Sequence, residues 1–173
     1  MSTRIGPPVL VLMGVAGTGK STIAALLAGQ LGWPLQEGDD LHPPENIGKM
    51  AAGIPLTDED RRPWLRRVAA WIDARIAAEE PGIVTCSALK RSYRQLLQRP
   101  PVTFVHLTGD PELIAQRMLL RQEHFMPPAL LGSQLAALEA PGPDERAITV
   151  DIAAPPEEQA AQIVSRLRLV GDR

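Results

Sequence analysis

The densest chemistry in this chain lies near its start, in the octet Gly14-Val15-Ala16-Gly17-Thr18-Gly19-Lys20-Ser21. Its glycines permit tight turns, so that successive backbone N–H groups can close around a polyphosphate. Lys20 can reach the β- and γ-phosphates, and the Ser21 hydroxyl, with Thr22 beside it, can ligate Mg²⁺. The plain alternative is a glycine-rich turn that merely caps a helix. The flanks decide between them. Pro8-Val9-Leu10-Val11-Leu12-Met13 before the octet reads as a buried strand, and Thr22-Ile23-Ala24-Ala25-Leu26-Leu27-Ala28 after it as a helix. That is the context this motif requires, and the helix would aim its open N–H groups and dipole at the same anion. The octet is therefore a site for a nucleoside triphosphate.

Other residues have types suited to moving a phosphoryl group. Asp39 or Asp40 could face the γ-phosphate from the acceptor side, orient a hydroxyl and accept its proton. Gly-Asp is equally at home in a surface turn. His42 could bond a polyol or carboxylate, or be solvated; Lys49 contacts an anion only if its helix points inward. Arg61 and Arg62 stand beside Pro63 and Trp64, and their planar forks suit a carboxylate or phosphate. Ser87, Lys90, Arg91 and Arg94 offer a hydroxyl and cations to an acidic substrate, or else form an exposed basic face. Arg117 and Arg121 are spaced i and i+4, with His124 just beyond. On a closing segment they would stabilise charge spread over the moving group, although pairing with Glu112 or Glu123 would also account for them. Cys86, in an apolar run, reads as a small core residue.

Positioning these residues takes an alternation of strands and helices. Helix 20–31 should stop at Gly32, a natural C-terminal glycine. A short strand over 33–37 leads to Gly38-Asp39-Asp40, and Pro43-Pro44 opens a helix that breaks at Gly53 and Pro55. Thr57 and Asp60 could cap a long helix whose apolar residues Trp64, Leu65, Val68, Trp71, Ile72 and Ile76 recur near a 3.6 period. Strands follow at 83–86, 102–107 and 147–152. Ser87-Ala88-Leu89-Lys90 is followed by a basic helix to about Gln98, and helices are also expected from Pro111, from Leu130 to Leu138 and from Pro156 to Leu169. Such alternation implies a parallel sheet covered on both faces, with ligands at the carboxyl ends of its strands. The loops at 14–21, 38–42, 87–90 and 117–125 should then meet in one cleft.

Composition narrows the partners. The chain has 173 residues, enough for one continuous core, and its net charge of −2 gives no basic field for nucleic acid or a membrane surface. Aromatics at 3% leave few platforms for stacking single-stranded bases. One cysteine excludes a disulfide framework, and no apolar run reaches the length of a membrane span. A soluble cytoplasmic protein is the expectation.

Taken together, these blocks resemble the gluconate kinase family of small P-loop kinases, the thermoresistant type. The resemblance rests on the octet, Gly38-Asp39-Asp40-Leu41-His42-Pro43, Asn46 with Lys49-Met50, Gly53-Ile54-Pro55-Leu56, and Asp58-Glu59-Asp60-Arg61-Arg62-Pro63-Trp64-Leu65. It continues through Cys86-Ser87-Ala88-Leu89-Lys90 with Tyr93-Arg94, His124-Phe125-Met126-Pro127, Ser133-Gln134 and Leu138-Glu139-Ala140-Pro141. It implies an α/β, three-layer P-loop kinase domain spanning 1–173. The sheet would have five parallel strands in the order 2-3-1-4-5, with a substrate-binding helical segment at about 43–80 and a helical lid at about 117–130. The implied reaction moves a phosphoryl group from ATP to the 6-hydroxyl of D-gluconate, with Mg²⁺, in a homodimer. By motif position Asp39 holds the acceptor hydroxyl. Arg61, Lys90 and Arg94, with His42, Lys49, Ser87 and His124, would contact gluconate. Lys20, Arg117 and Arg121 would stabilise the transferring group. Related kinases often carry Asp-x-Asp where this chain has Glu37-Gly38-Asp39. The longer Glu37 leaves open whether it reaches Mg²⁺ through water.

Three readings compete with gluconate phosphorylation. Gly-Asp-Asp-Leu-His-Pro disfavours a shikimate kinase, and the scarcity of aromatics disfavours a nucleotide kinase. A nucleotide-binding switch would keep Lys20 and Ser21 but need neither Asp39 nor the arginines.

Overall fold

In the computed structural model, residues 5–120 and 130–171 are described. Five parallel strands form one sheet: β1 (Val9–Met13), β2 (Leu35–Glu37), β3 (Gly82–Thr85), β4 (Val102–Thr108) and β5 (Ala147–Asp151). Their spatial order is β2-β3-β1-β4-β5, as expected. Around them lie α1 (Lys20–Leu31), α2 (Pro44–Ala51), α3 (Asp58–Ala77), α4 (Arg91–Leu97), α5 (Pro111–Leu120), α6 (Leu130–Ala137) and α7 (Pro156–Leu167).

The central strand shows why its sequence is apolar throughout. Successive side chains of a strand point to opposite faces. Leu10 and Leu12 join Ile23 and Leu27 of α1 and Ile163 of α7, while Val9, Val11 and Met13 join Trp64, Leu65 and Ile72 of α3 and Leu97 of α4. Both faces are covered, so no polar alternation is required.

Helix ends follow their local chemistry. Gly32 is left-handed at φ 71° and its N–H donates to the Ala28 carbonyl at 2.8 Å, the C-terminal stop expected of glycine. At the start of α3 the capping box is complete. Thr57 Oγ1 accepts from the Asp60 N–H at 3.1 Å, and Asp60 Oδ2 accepts from the Thr57 N–H at 2.9 Å. The Thr57 amide, with Lys49 beside it, holds the Asp60 carboxyl down to about 2.

One strand start differs from expectation by two residues. Strand β2 begins at Leu35, because Trp33 is buried in the α1-side core and Pro34 has no N–H for the ladder. Helix α4 begins at Arg91, directly after Lys90 as expected, and the turn before it holds Ala88 left-handed at φ 46°.

Candidate active site

The phosphate loop joins β1 to α1. Its conformation depends on close packing: a Cβ on Gly17, at φ 84°, would lie 2.6 Å from Met118 Cγ of α5. Lys20 folds over the loop, and its ammonium donates to the Gly14 and Val15 carbonyls at 2.8 and 3.0 Å. Ser21, at the first turn of α1, donates to Glu37 Oε2 at 3.1 Å, and Thr85 Oγ1 donates to the same oxygen at 2.6 Å. The longer side chain at position 37 therefore does reach the loop. Three oxygen-bearing side chains, Ser21, Glu37 and Thr85, meet there, a donor set that suits a hard cation with retained waters.

The next turn of chain presents the carboxylate. Gly38–Leu41 forms a single 3-10 turn after β2. It passes so close to β3 that a Cβ on Gly38 would sit 1.9 Å from the Thr85 carbonyl. Trp64 of α3 pins it by donating Nε1–H to the Gly38 carbonyl at 2.7 Å. Asp39 then lines the cleft with Lys20, Ser21 and Ser87, while Asp40 is exposed outside it. This separates the two aspartates that residue type and spacing alone left equivalent.

His42 lies under Asp39. Its side chain is 3% exposed, and its ring stacks on Trp64 at 4.1 Å and 16°. Burial, with Arg61 nearby, lowers its pKa to about 4, so it is neutral at pH 7. Its tautomer follows from Asn46. The Asn46 amide nitrogen donates to the Asp60 carbonyl at 2.8 Å and sits 3.2 Å from His42 Nδ1. A carbonyl only accepts, so that atom is nitrogen, Nδ1 is the acceptor, and Nε2 carries the hydrogen. Nε2 is 3.9 Å from Asp39 Oδ1.

Of the other basic residues, Arg61 alone among the described residues lines the cleft. Its side chain is held by the Leu56 carbonyl at 2.6 Å and the Tyr93 hydroxyl at 3.2 Å. Lys90 pairs with Asp58 at 3.0 Å, and Tyr93 donates to the same carboxylate oxygen. These two bonds, Tyr93's first, hold the Asp58 carboxyl below its ordinary range. Lys49 is bound to both oxygens of Asp60, at 2.9 and 3.0 Å, outside the cleft lining. Arg117 donates to the Ile152 carbonyl at 2.9 Å and is not among the cleft-lining residues. Arg121 and His124 lie outside the described residues.

Arg94 requires a correction. It was expected to grip an acidic substrate, but its side chain is 1% exposed and its fork is used inside the protein. Nε and Nη2 donate to Glu145 at 2.6 and 3.1 Å, and Nη1 donates to the Ala88 and Leu89 carbonyls at 2.8 and 3.2 Å. Its work is to brace the left-handed Ala88 turn beside Ser87. The basic helix pattern gave no sign of a buried acid 51 residues away.

Gln134 of α6 was also missed as a site residue. It lines the cleft, and its Oε1 accepts from the Ala16 N–H at 2.7 Å.

A gluconokinase of Gluconobacter oxydans (strain 621H) is 51% identical over 152 residues, covering 86% of this chain and 85% of its own. The chain belongs to the gluconokinase family. The broader model that matches it, over residues 16–168, is described as shikimate kinase. Among solved structures, a gluconokinase from Sinorhizobium meliloti 1021 is similar with a TM-score of 0.78 and 46% identity, covering 95% of this chain and 98% of that one. An unliganded sugar kinase from Janibacter sp. HTCC2649 is similar with a TM-score of 0.91 and 49% identity, covering 96% and 99%. For a gluconokinase the cleft is suitably divided, with the phosphate loop on one side and Asp39, His42, Arg61 and Ser87 on the other.

Proposed function

We propose that this chain transfers the γ-phosphoryl group of ATP to the 6-hydroxyl of D-gluconate, giving 6-phosphogluconate and ADP. The observation that carries the mechanism is the shared cleft: Lys20 and Asp39, from loops after two different strands, line one cavity. In the transfer the gluconate oxygen forms a bond to phosphorus as the bond from phosphorus to the ADP oxygen breaks. Asp39 orients the hydroxyl and takes its proton, which later passes to solvent.

Lys20 balances charge that grows on the phosphoryl oxygens and the leaving group. Neutral His42 offers an Nε2–H to a substrate oxygen without competing for the proton. Arg61 meets the carboxylate or hydroxyls, with Ser87 and Lys90 at the same edge. Lys49 would join them only after leaving Asp60. Arg117, once released from the Ile152 carbonyl, would complete the reading with Arg121 and His124 on a lid at about 117–130.

Mg²⁺ belongs to it as well: Ser21 and, through water, Glu37 would hold the ion, which supplies charge neutralisation on the phosphates. The reading further includes a homodimer in the cytoplasm. Among the described residues no helix is long and apolar enough to cross a membrane.

The test is a coupled assay of ADP release with Mg·ATP and a panel of gluconate, shikimate, glucose and nucleoside monophosphates. Turnover that requires gluconate establishes the reaction. Tight ATP binding with no acceptor-dependent turnover would instead favour a nucleotide-binding switch.

A further inference from the structure

We propose that Gln134 is a positioning residue for phosphoryl transfer, fixing the Ala16–Gly17 stretch of the phosphate loop from the far helix α6. The inference rests on the reading of the cleft as an ATP-dependent phosphotransfer site.

The contact spans 118 residues of sequence and joins two buried groups. Ala16 is 5% exposed and Gln134 7%. A buried N–H without an acceptor is costly, so this amide needs a partner. The loop's own backbone does not supply one; a side chain from another element does. That matters because a glycine-rich loop has many conformations to lose, and catalysis by aligned N–H groups requires one of them beforehand.

Gln134 is well anchored for the task. Next to it, Leu131 packs into the core with Leu27 and Ile114. At the exit of α6, the Glu139 N–H donates to the Leu89 carbonyl at 2.8 Å, and Glu139 Oε1 accepts from the Arg91 N–H at 2.9 Å. One short helix thus fixes the phosphate loop at Gln134 and the Ser87–Lys90 loop at Glu139. From the other side α5 presses on the adjoining residue, with Met118 and Ile114 against Gly17.

The residue type is informative. An amide oxygen accepts from the Ala16 N–H while remaining neutral. A glutamate would accept equally well but place a negative charge beside bound polyphosphate. Alanine would leave the amide without its acceptor.

The test compares Gln134→Ala and Gln134→Glu with the wild-type enzyme by kcat, KM for ATP, KM for gluconate, equilibrium ATP binding and thermal melting. Gln134→Ala should lower kcat/KM for ATP about tenfold, the loss expected for one buried hydrogen bond, with KM for gluconate within about twofold. Gln134→Glu should melt near the wild type yet bind ATP more weakly than Gln134→Ala. A purely structural brace would give a different pattern, with ATP and gluconate affected together and in step with a lowered melting temperature. That pattern, or unchanged ATP kinetics in both variants, overturns the proposal. Should the wild type show no gluconate turnover, the proposed function fails, while equilibrium ATP binding by the three proteins still decides the role of Gln134.

Discussion

The Ser21 hydroxyl donates to Glu37 Oε2 across 3.1 Å, tying the first turn of α1 to the end of β2. The same oxygen accepts from Thr85, whose hydroxyl in turn accepts from the Gly38 N–H at 3.1 Å. The phosphate loop, the turn bearing Asp39 and the end of β3 therefore meet at one carboxylate. Glu37→Gln keeps the shape but removes the charge. It should raise the Mg²⁺ concentration needed for half-maximal rate several-fold and lower kcat about tenfold. A Mg²⁺ titration at fixed ATP reads this directly. An unchanged Mg²⁺ requirement would leave Glu37 as a structural link alone.

Asp39 and Asp40 make an internal control. Both follow β2, but only Asp39 lines the cleft with Lys20. Asp39→Asn should slow kcat roughly 10²- to 10⁴-fold, the range for loss of a general base, with ATP affinity little changed. Asp40→Asn should stay near the wild type. Equal losses in the two variants would remove the assignment of the base.

The alternation of strands and helices and the loops at 14–21 and 38–42 were legible in the sequence because they follow from local rules, whereas the strand order came with the family resemblance. An apolar run, a glycine octet and a helix signal in succession place the phosphate loop without any distant information. Arg94 and Gln134 were not legible in that way. Their roles depend on Glu145 and Ala16, partners 51 and 118 residues away, and nothing local distinguishes a buried arginine from an exposed one on a basic helix. His42 falls between these cases. Its type and loop placed it near the site, but its neutrality comes from burial, with Arg61 nearby, and only the packing of α2 and α3 supplies these.

His42 gives a pH prediction. Its pKa is about 4 in the folded protein against an ordinary value of 6.5. Below pH 6.5 the unfolded chain takes up a proton that the folded chain refuses. The stability contribution is therefore full above about pH 6.5, falls as the pH drops from 6.5 towards 4, and levels off for this group below that. His42→Gln should flatten this part of the melting-temperature curve relative to the wild type. If both proteins lose stability in parallel between these values, another group carries the titration.

Arg94 and Glu145 give the last. Their side chains are 1% and 6% exposed. Arg94 holds the Glu145 carboxyl below its ordinary range, chiefly through their hydrogen bonds. Arg94→Met would leave that carboxylate buried without its partner, at a cost of about 3–5 kcal/mol. A marked fall in melting temperature is expected, with KM for gluconate little changed in the protein that remains folded. Adding Glu145→Gln should restore part of the stability, because the uncompensated charge is then gone. A variant that melts like the wild type but loses gluconate affinity would return Arg94 to the substrate site. The geometry argues against that result: the same guanidinium that neutralises Glu145 also binds the carbonyls of Ala88 and Leu89, so it cannot leave for a ligand without releasing the turn beside Ser87.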